Sequence, residues 1–128
     1  MVEDIGQVPN RTSTRFLARA SPIVPESEKT LEARLRRDVG KKGGMALKLS
    51  AQLHRGLPDR LILMPGGRAY FAEIKTTGKK PTKLQEKCHR ELRDLGFDVF
   101  IIDSTDSLLD ALDAIGFDQV VDAVKKKM

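Results

Sequence analysis

Two carboxylates and one amine stand in a stretch of sequence that is otherwise apolar: Asp59, Glu73 and Lys75. Residues 68 to 75 read as a strand rich in aromatic and branched side chains. With period-two alternation Tyr70, Ala72 and Ile74 share one face, and Glu73 and Lys75 follow Phe71 on the other. Buried charge is costly unless it is paired or bound to a metal. Residues 59 to 64 read as the preceding strand, and Pro65-Gly66-Gly67 as the turn between them. If that turn is a three-residue loop, Met64 faces Arg68, Leu61 faces Phe71 and Asp59 faces Glu73. Directly opposed residues have Cβ atoms roughly 4.5–5.5 Å apart. Two carboxylates so close repel and raise one pKa. A divalent cation removes the conflict, and a hard oxygen cage suits Mg²⁺ or Mn²⁺. A lone Glu-x-Lys in a strand is ordinarily a surface ion pair. The register match, the preceding Pro58 and the interrupted apolar face point instead to a site.

The elements that must hold these residues follow from caps, periodicity and turn residues. Ser27 is a helix N-cap, with Leu31, Leu35 and Val39 recurring at helical spacing until the glycines at 40, 43 and 44. Residues 45 to 49 read as a strand and 50 to 58 as a loop. After a loop over 76 to 81, a helix opens at Pro81 or Thr82, carries Leu84, Cys88, Leu92 and Leu95 on its buried stripe, and stops at Gly96. His89 then falls on the exposed side. Residues 97 to 102 are a buried strand alternating Phe97, Val99 and Ile101. Leu108, Leu109, Leu112 and Ile115 mark one further helix, and Val120, Val121 and Val124 a short last one. The fourth strand arrives through a helical crossover and so runs parallel to a neighbour. The class is α/β, a mixed sheet flanked by helices, with an α-β-β-β-α-β core over 26–103 and a helical extension over 104–128. Residues 1–25, with Arg11, Arg15 and Arg19 among prolines and hydroxyl residues, read as a basic arm.

The whole chain of 128 residues fits one domain. Its 23 Lys and Arg against 18 Asp and Glu leave a net charge of +5, which suits an anionic partner such as nucleic acid. One cysteine, Cys88, excludes an intrachain disulfide and reads as a small packing residue. The expectation is a cytoplasmic protein, with neither an apolar signal core nor a run long enough to span a membrane.

Pro58-Asp59 followed by Glu73-Ile74-Lys75 resembles the PD-(D/E)XK nuclease signature. Gly43-Gly44, Lys48, Gly56-Leu57-Pro58-Asp59-Arg60, Pro65-Gly66-Gly67, Gln85 and Leu95-Gly96-Phe97 narrow the resemblance to stand-alone VRR-NUC domains of the kind common in bacteriophages. It covers about residues 26 to 103. The resemblance implies a restriction-endonuclease-like fold and Mg²⁺- or Mn²⁺-dependent hydrolysis of DNA, in members similar to Holliday-junction resolvases and expected to be homodimers acting on branched DNA. It also implies that Asp59, Glu73 and the Ile74 carbonyl hold metal, that Lys75 serves the attacking water and that Gln85 supports it. The family's first helix carries a glutamate, here Glu28 or Glu32. Glu28 lies within the apolar arc and Glu32 at its edge, while the spacing to Gly43 favours Glu32, which is the expected catalytic acid of the helix.

Lys48, Arg55, Arg60, Lys79 and Lys80 flank the motif and are candidate phosphate contacts. His54 has no second ligand in sight that would make it a metal site, and Lys125 to Lys127 read as a solvated helix end. Two alternatives keep the chemistry or drop it: a monomeric nickase or flap nuclease, and a catalytically silent nucleic-acid-binding module.

Overall fold

In the computed structural model the described residues are 27–50, 54–76 and 78–127. The expected basic arm over 1–25 lies outside them. Helix α1 (Glu28–Lys41) begins where the Ser27 side chain accepts a hydrogen bond from the Thr30 backbone N–H at 3.1 Å. Leu31, Leu35 and Val39 are fully buried, as their spacing predicts. Gly44 turns the chain into strand β1 (Met45–Lys48). A side chain there would collide with the Met64 sulfur and lie 2.6 Å from the Leu63 carbonyl oxygen.

Strands β2 (Arg60–Met64) and β3 (Arg68–Ile74) form the expected hairpin. Gly66 and Gly67 both have positive φ, at 89° and 79°, and Met64 pairs with Arg68 across them. Helix α2 (Lys83–Asp94) then carries the chain to strand β4 (Asp98–Ile102), which pairs parallel to β3. The sheet order is β1-β2-β3-β4, with both other pairings antiparallel.

One continuous helix, α3 (Thr105–Lys127), stands where the sequence predicts two. Gly116 lowers helix propensity by only about 1 kcal/mol relative to Ala. Tertiary contacts on its C-terminal side offset that cost: Tyr70 donates to Asp118 at 2.6 Å, Arg68 pairs with Asp122 at 2.8 Å, and Gln119 donates to the Lys42 carbonyl at 3.1 Å. The N-terminal half belongs to the main core. Leu108, Ala111, Leu112, Ala114 and Ile115 pack with Leu31 and Leu35 of α1 against Ile62, Tyr70, Ala72, Ile74, Phe100 and Ile102.

Strand β4 departs from its predicted alternation. Val99, Phe100 and Ile102 are buried, Ile101 is half-buried, and Phe97 lies exposed before the strand. The main core takes Phe100 and Ile102, and Phe100 stacks on Tyr70 with ring centroids 5.8 Å apart. A strand covered on both faces gives no clean alternation to read. Among the described residues, no helix is long and apolar enough to cross a membrane.

Candidate active site

The β2–β3 register holds as far as Arg60 facing Ala72, which leaves Asp59 one residue beyond the ladder, beside the end of β3. There the Asp59 Oδ2 atom accepts the Ile74 backbone N–H at 2.8 Å. The side chain therefore stands in for the strand partner that Ile74 would otherwise lack. Residue 75 is held from the other side, its backbone N–H donating to the Ile102 carbonyl at 2.9 Å. Both neighbours of the Glu73–Lys75 segment thus fix where its side chains emerge.

Glu73 is 1% exposed, on the face of the sheet that α2 covers. Its Oε2 atom accepts a hydrogen bond from Gln85 Nε2 at 3.0 Å and lies 3.4 Å from Lys75 Nζ. Its Oε1 atom is buried with no hydrogen-bond partner. Burial, then the negative charge of Asp59, pushes the carboxyl pKa up to about 7, with Lys75 opposing the rise. A buried carboxylate with one orphaned oxygen, next to a second carboxylate, fits a divalent cation held by hard oxygen ligands.

Gln85 serves two elements at once. Its Oε1 accepts from the Thr82 backbone N–H at 2.8 Å, and the Thr82 hydroxyl accepts from the Gln85 N–H at 3.2 Å. This capping box starts α2, while the same side chain's amide nitrogen holds Glu73.

His89 points inward, where the apolar stripe of α2 predicts an exposed position. It is 2% exposed, and its Nε2 atom lies 3.9 Å from Glu73 Oε1. Leu84 and Leu95, expected in the core, are 42% and 74% exposed. The inner stripe of α2 runs through Gln85, Cys88 and His89 because the sheet presents a carboxylate there, and apolarity does not report that face. The spacing Gln85 to His89 is i to i+4, so the pair was available as a signal once Gln85 was placed at the site. Burial, with help from Arg93, lowers the His89 pKa to about 4, so the ring is neutral near pH 7.

Arg60 corrects another expectation. It is 6% exposed and turned inward, donating to the Ala46 carbonyl at 3.1 Å and lying 3.8 Å from Glu32. It shares a strand face with Ile62 and Met64, so it is a buried anchor and is not presented to phosphate. Lys48, Arg55, Lys79 and Lys80 are exposed, on the segments that enter and leave the same end of the sheet. Of the two helix acids, Glu28 reaches this end, its Oε2 accepting from the Thr76 N–H at 3.1 Å and the Thr76 hydroxyl at 2.8 Å. Glu32 sits against Arg60 instead.

No protein-family model matches the chain. A phage protein named "Putative nuclease p44", from Acyrthosiphon pisum secondary endosymbiont phage 1, is 42% identical over 79 residues, spanning 62% of this chain and 85% of that one. A solved structure described as a VRR_NUC domain superposes with a TM-score of 0.60 at 29% identity, covering 63% of this chain and 88% of its own.

Proposed function

We propose that this chain, which belongs to the VRR-NUC family of nucleases, is a Mg²⁺- or Mn²⁺-dependent DNA endonuclease. The observation that carries this reading is the buried Glu73 carboxylate, one oxygen held by Gln85 and facing Lys75, the other unpartnered, beside Asp59. Asp59, Glu73 and the Ile74 carbonyl are the residues that would hold the cation. Such a cation would supply a water of lowered pKa and would polarise the scissile phosphoryl group.

The chain's own side chains do the rest. Lys75, 18% exposed at the strand end, presents a fixed positive charge toward the phosphate and orients the attacking water. Gln85 keeps Glu73 in one rotamer. Glu28, by holding Thr76, fixes the backbone just past Lys75, which makes it the stronger candidate for the helix acid than Glu32. Lys48, Arg55, Lys79 and Lys80 lie where loops flank the site and are the proposed phosphate contacts, and the net charge of +5 favours a polyanion.

We further propose a homodimer acting on branched DNA in the cytoplasm of a bacterial host. Met45, Leu47 and Leu63 form a patch on β1 and β2, being 58%, 38% and 37% exposed. An apolar patch of this kind on an edge strand suits a second copy, and a twofold pair of sites suits paired cuts across a junction. The test is cleavage of four-way, flap and linear duplexes with Mg²⁺ or Mn²⁺, beside light scattering in solution. Activity that persists in folded Asp59→Ala or Lys75→Ala protein defeats the nuclease assignment. A monomer with full activity on flaps alone defeats the resolvase-like part.

A further inference from the structure

A second group of side chains able to ligate a metal meets at α2, sharing no residue with the Asp59–Glu73 pair. His54, Cys88 and Glu91 each offer one ligand atom, and among the described residues these three atoms all lie within 4.8 Å of one another. Cys88 and Glu91 are three apart on α2 and share a face. His54 comes from the segment between β1 and β2, across 34 residues of sequence from Cys88.

Gly56 makes the meeting possible. Its φ is +86°, and a Cβ there would lie 2.7 Å from the Leu84 carbonyl oxygen and 3.3 Å from the Cys88 Cβ. The loop therefore rests directly on the backbone of α2, a closeness that any other residue would prevent. That contact sets His54 over the buried Cys88 thiol.

We propose that His54, Cys88 and Glu91 form a Zn²⁺ site that ties the loop leading into Asp59 to helix α2. Zinc takes imidazole, thiolate and carboxylate at about 2.0–2.3 Å, which places neighbouring ligands of a tetrahedron roughly 3.4–3.6 Å apart. His54 and Glu91 are exposed and free to swing inward, so closing the present spacing asks little of the core. A water completes the fourth position. The thiolate and imidazole select Zn²⁺ over the hard cations expected at Asp59 and Glu73. Burial, then the Glu91 carboxylate, pushes the Cys88 thiol pKa up, so the metal-free sulfur keeps its proton and loses it on binding. The site would hold two segments in place: the loop that delivers Asp59, and the helix turn that carries Gln85 and His89.

The test uses the full chain, stripped with chelator and titrated with Co²⁺ and then Zn²⁺. In wild type Co²⁺ should give a near-ultraviolet thiolate-to-cobalt absorption that reports one site and that Zn²⁺ abolishes. Cys88→Ser should lose this band, and Asp59→Asn should keep it. His54→Ala and Glu91→Gln alter exposed side chains and leave the core intact. Each should weaken Zn²⁺ binding by at least the roughly 10–100-fold that even outer-shell changes cost. A wild-type titration without the thiolate band overturns the proposal. So does Zn²⁺ affinity unchanged in both His54→Ala and Glu91→Gln. Neither result bears on cleavage with Mg²⁺, which is measured separately.

Discussion

His89 Nε2 faces Glu73 Oε1 across 3.9 Å, and neither atom has a hydrogen-bond partner. Two buried polar atoms left open in the same small space are costly unless something joins them. A neutral imidazole can donate to the carboxylate after a small shift, steadying it for the proposed cation. His89→Ala should lower cleavage by roughly 10–100-fold and raise the Mg²⁺ or Mn²⁺ concentration needed for half-maximal rate. The check is a metal titration of the cleavage rate, with thermal melting to confirm folding. An unchanged half-saturating concentration would reduce His89 to a packing residue.

Gln85 joins the start of α2 to the site, so its two bonds can be separated by substitution. Gln85→Ala loses both the capping box and the contact to Glu73, at a stability cost of about 1 kcal/mol for the cap. Gln85→Glu keeps an oxygen for the Thr82 N–H but sets a second carboxylate against Glu73. Gln85→Glu should therefore melt higher than Gln85→Ala yet cleave more slowly. Melting curves and initial rates on the same preparations decide it.

Arg60 and Arg55 are close in sequence and should fail in different ways. Arg60→Ala removes a buried guanidinium and leaves the part-buried Ala46 carbonyl and the half-buried Glu32 carboxylate without it, and should cost about 1–3 kcal/mol of stability. Arg55→Ala, at an exposed position, should leave melting unchanged while weakening DNA binding and lowering the salt slope of log K by about one contact. Denaturant unfolding and a salt series of binding curves separate the two effects. Equal loss of stability in both variants would contradict this division.

What could be read beforehand depended on how local the constraint was. The hairpin register follows from one turn and a period of two, so Asp59, Glu73 and Lys75 could be brought to one strand end from the sequence alone. Helix α2 could not be oriented in the same way, because apolarity marks a buried face only when the partner surface is apolar. Here the partner is Glu73, and Gln85 and His89 turn inward while Leu84 and Leu95 stay out. Arg60 carried a usable signal, its shared face with Ile62 and Met64, that its charge obscured. The single helix α3 and the meeting of His54 with Cys88 rest on contacts between distant segments, which no local pattern encodes.

Glu73 and His89 make the metal-free protein respond to pH in two opposed ways. The Glu73 pKa is raised from 4.5 to about 7, so its folded form prefers the proton. Its contribution is present in full below pH 4.5 and is lost as pH rises toward 7, on the order of 3 kcal/mol at 1.36 kcal/mol per unit. The His89 pKa is lowered from 6.5 to about 4, so its folded form prefers to be neutral. That contribution is present above pH 6.5 and is lost as pH falls toward 4, by a similar amount. In wild type the two slopes nearly cancel between pH 4.5 and 6.5. Glu73→Gln removes the first, so the difference between variant and wild-type stability should grow in favour of the variant as pH rises from 4.5 to 7. Saturating Mg²⁺ should shrink that advantage, because a cation at the proposed site would stabilise only the wild-type carboxylate. Denaturant unfolding in chelator across pH 4 to 8, then repeated with Mg²⁺, measures both. A Glu73→Gln difference that is flat with pH would mean that the carboxyl ionises as freely in the folded chain as in the unfolded one.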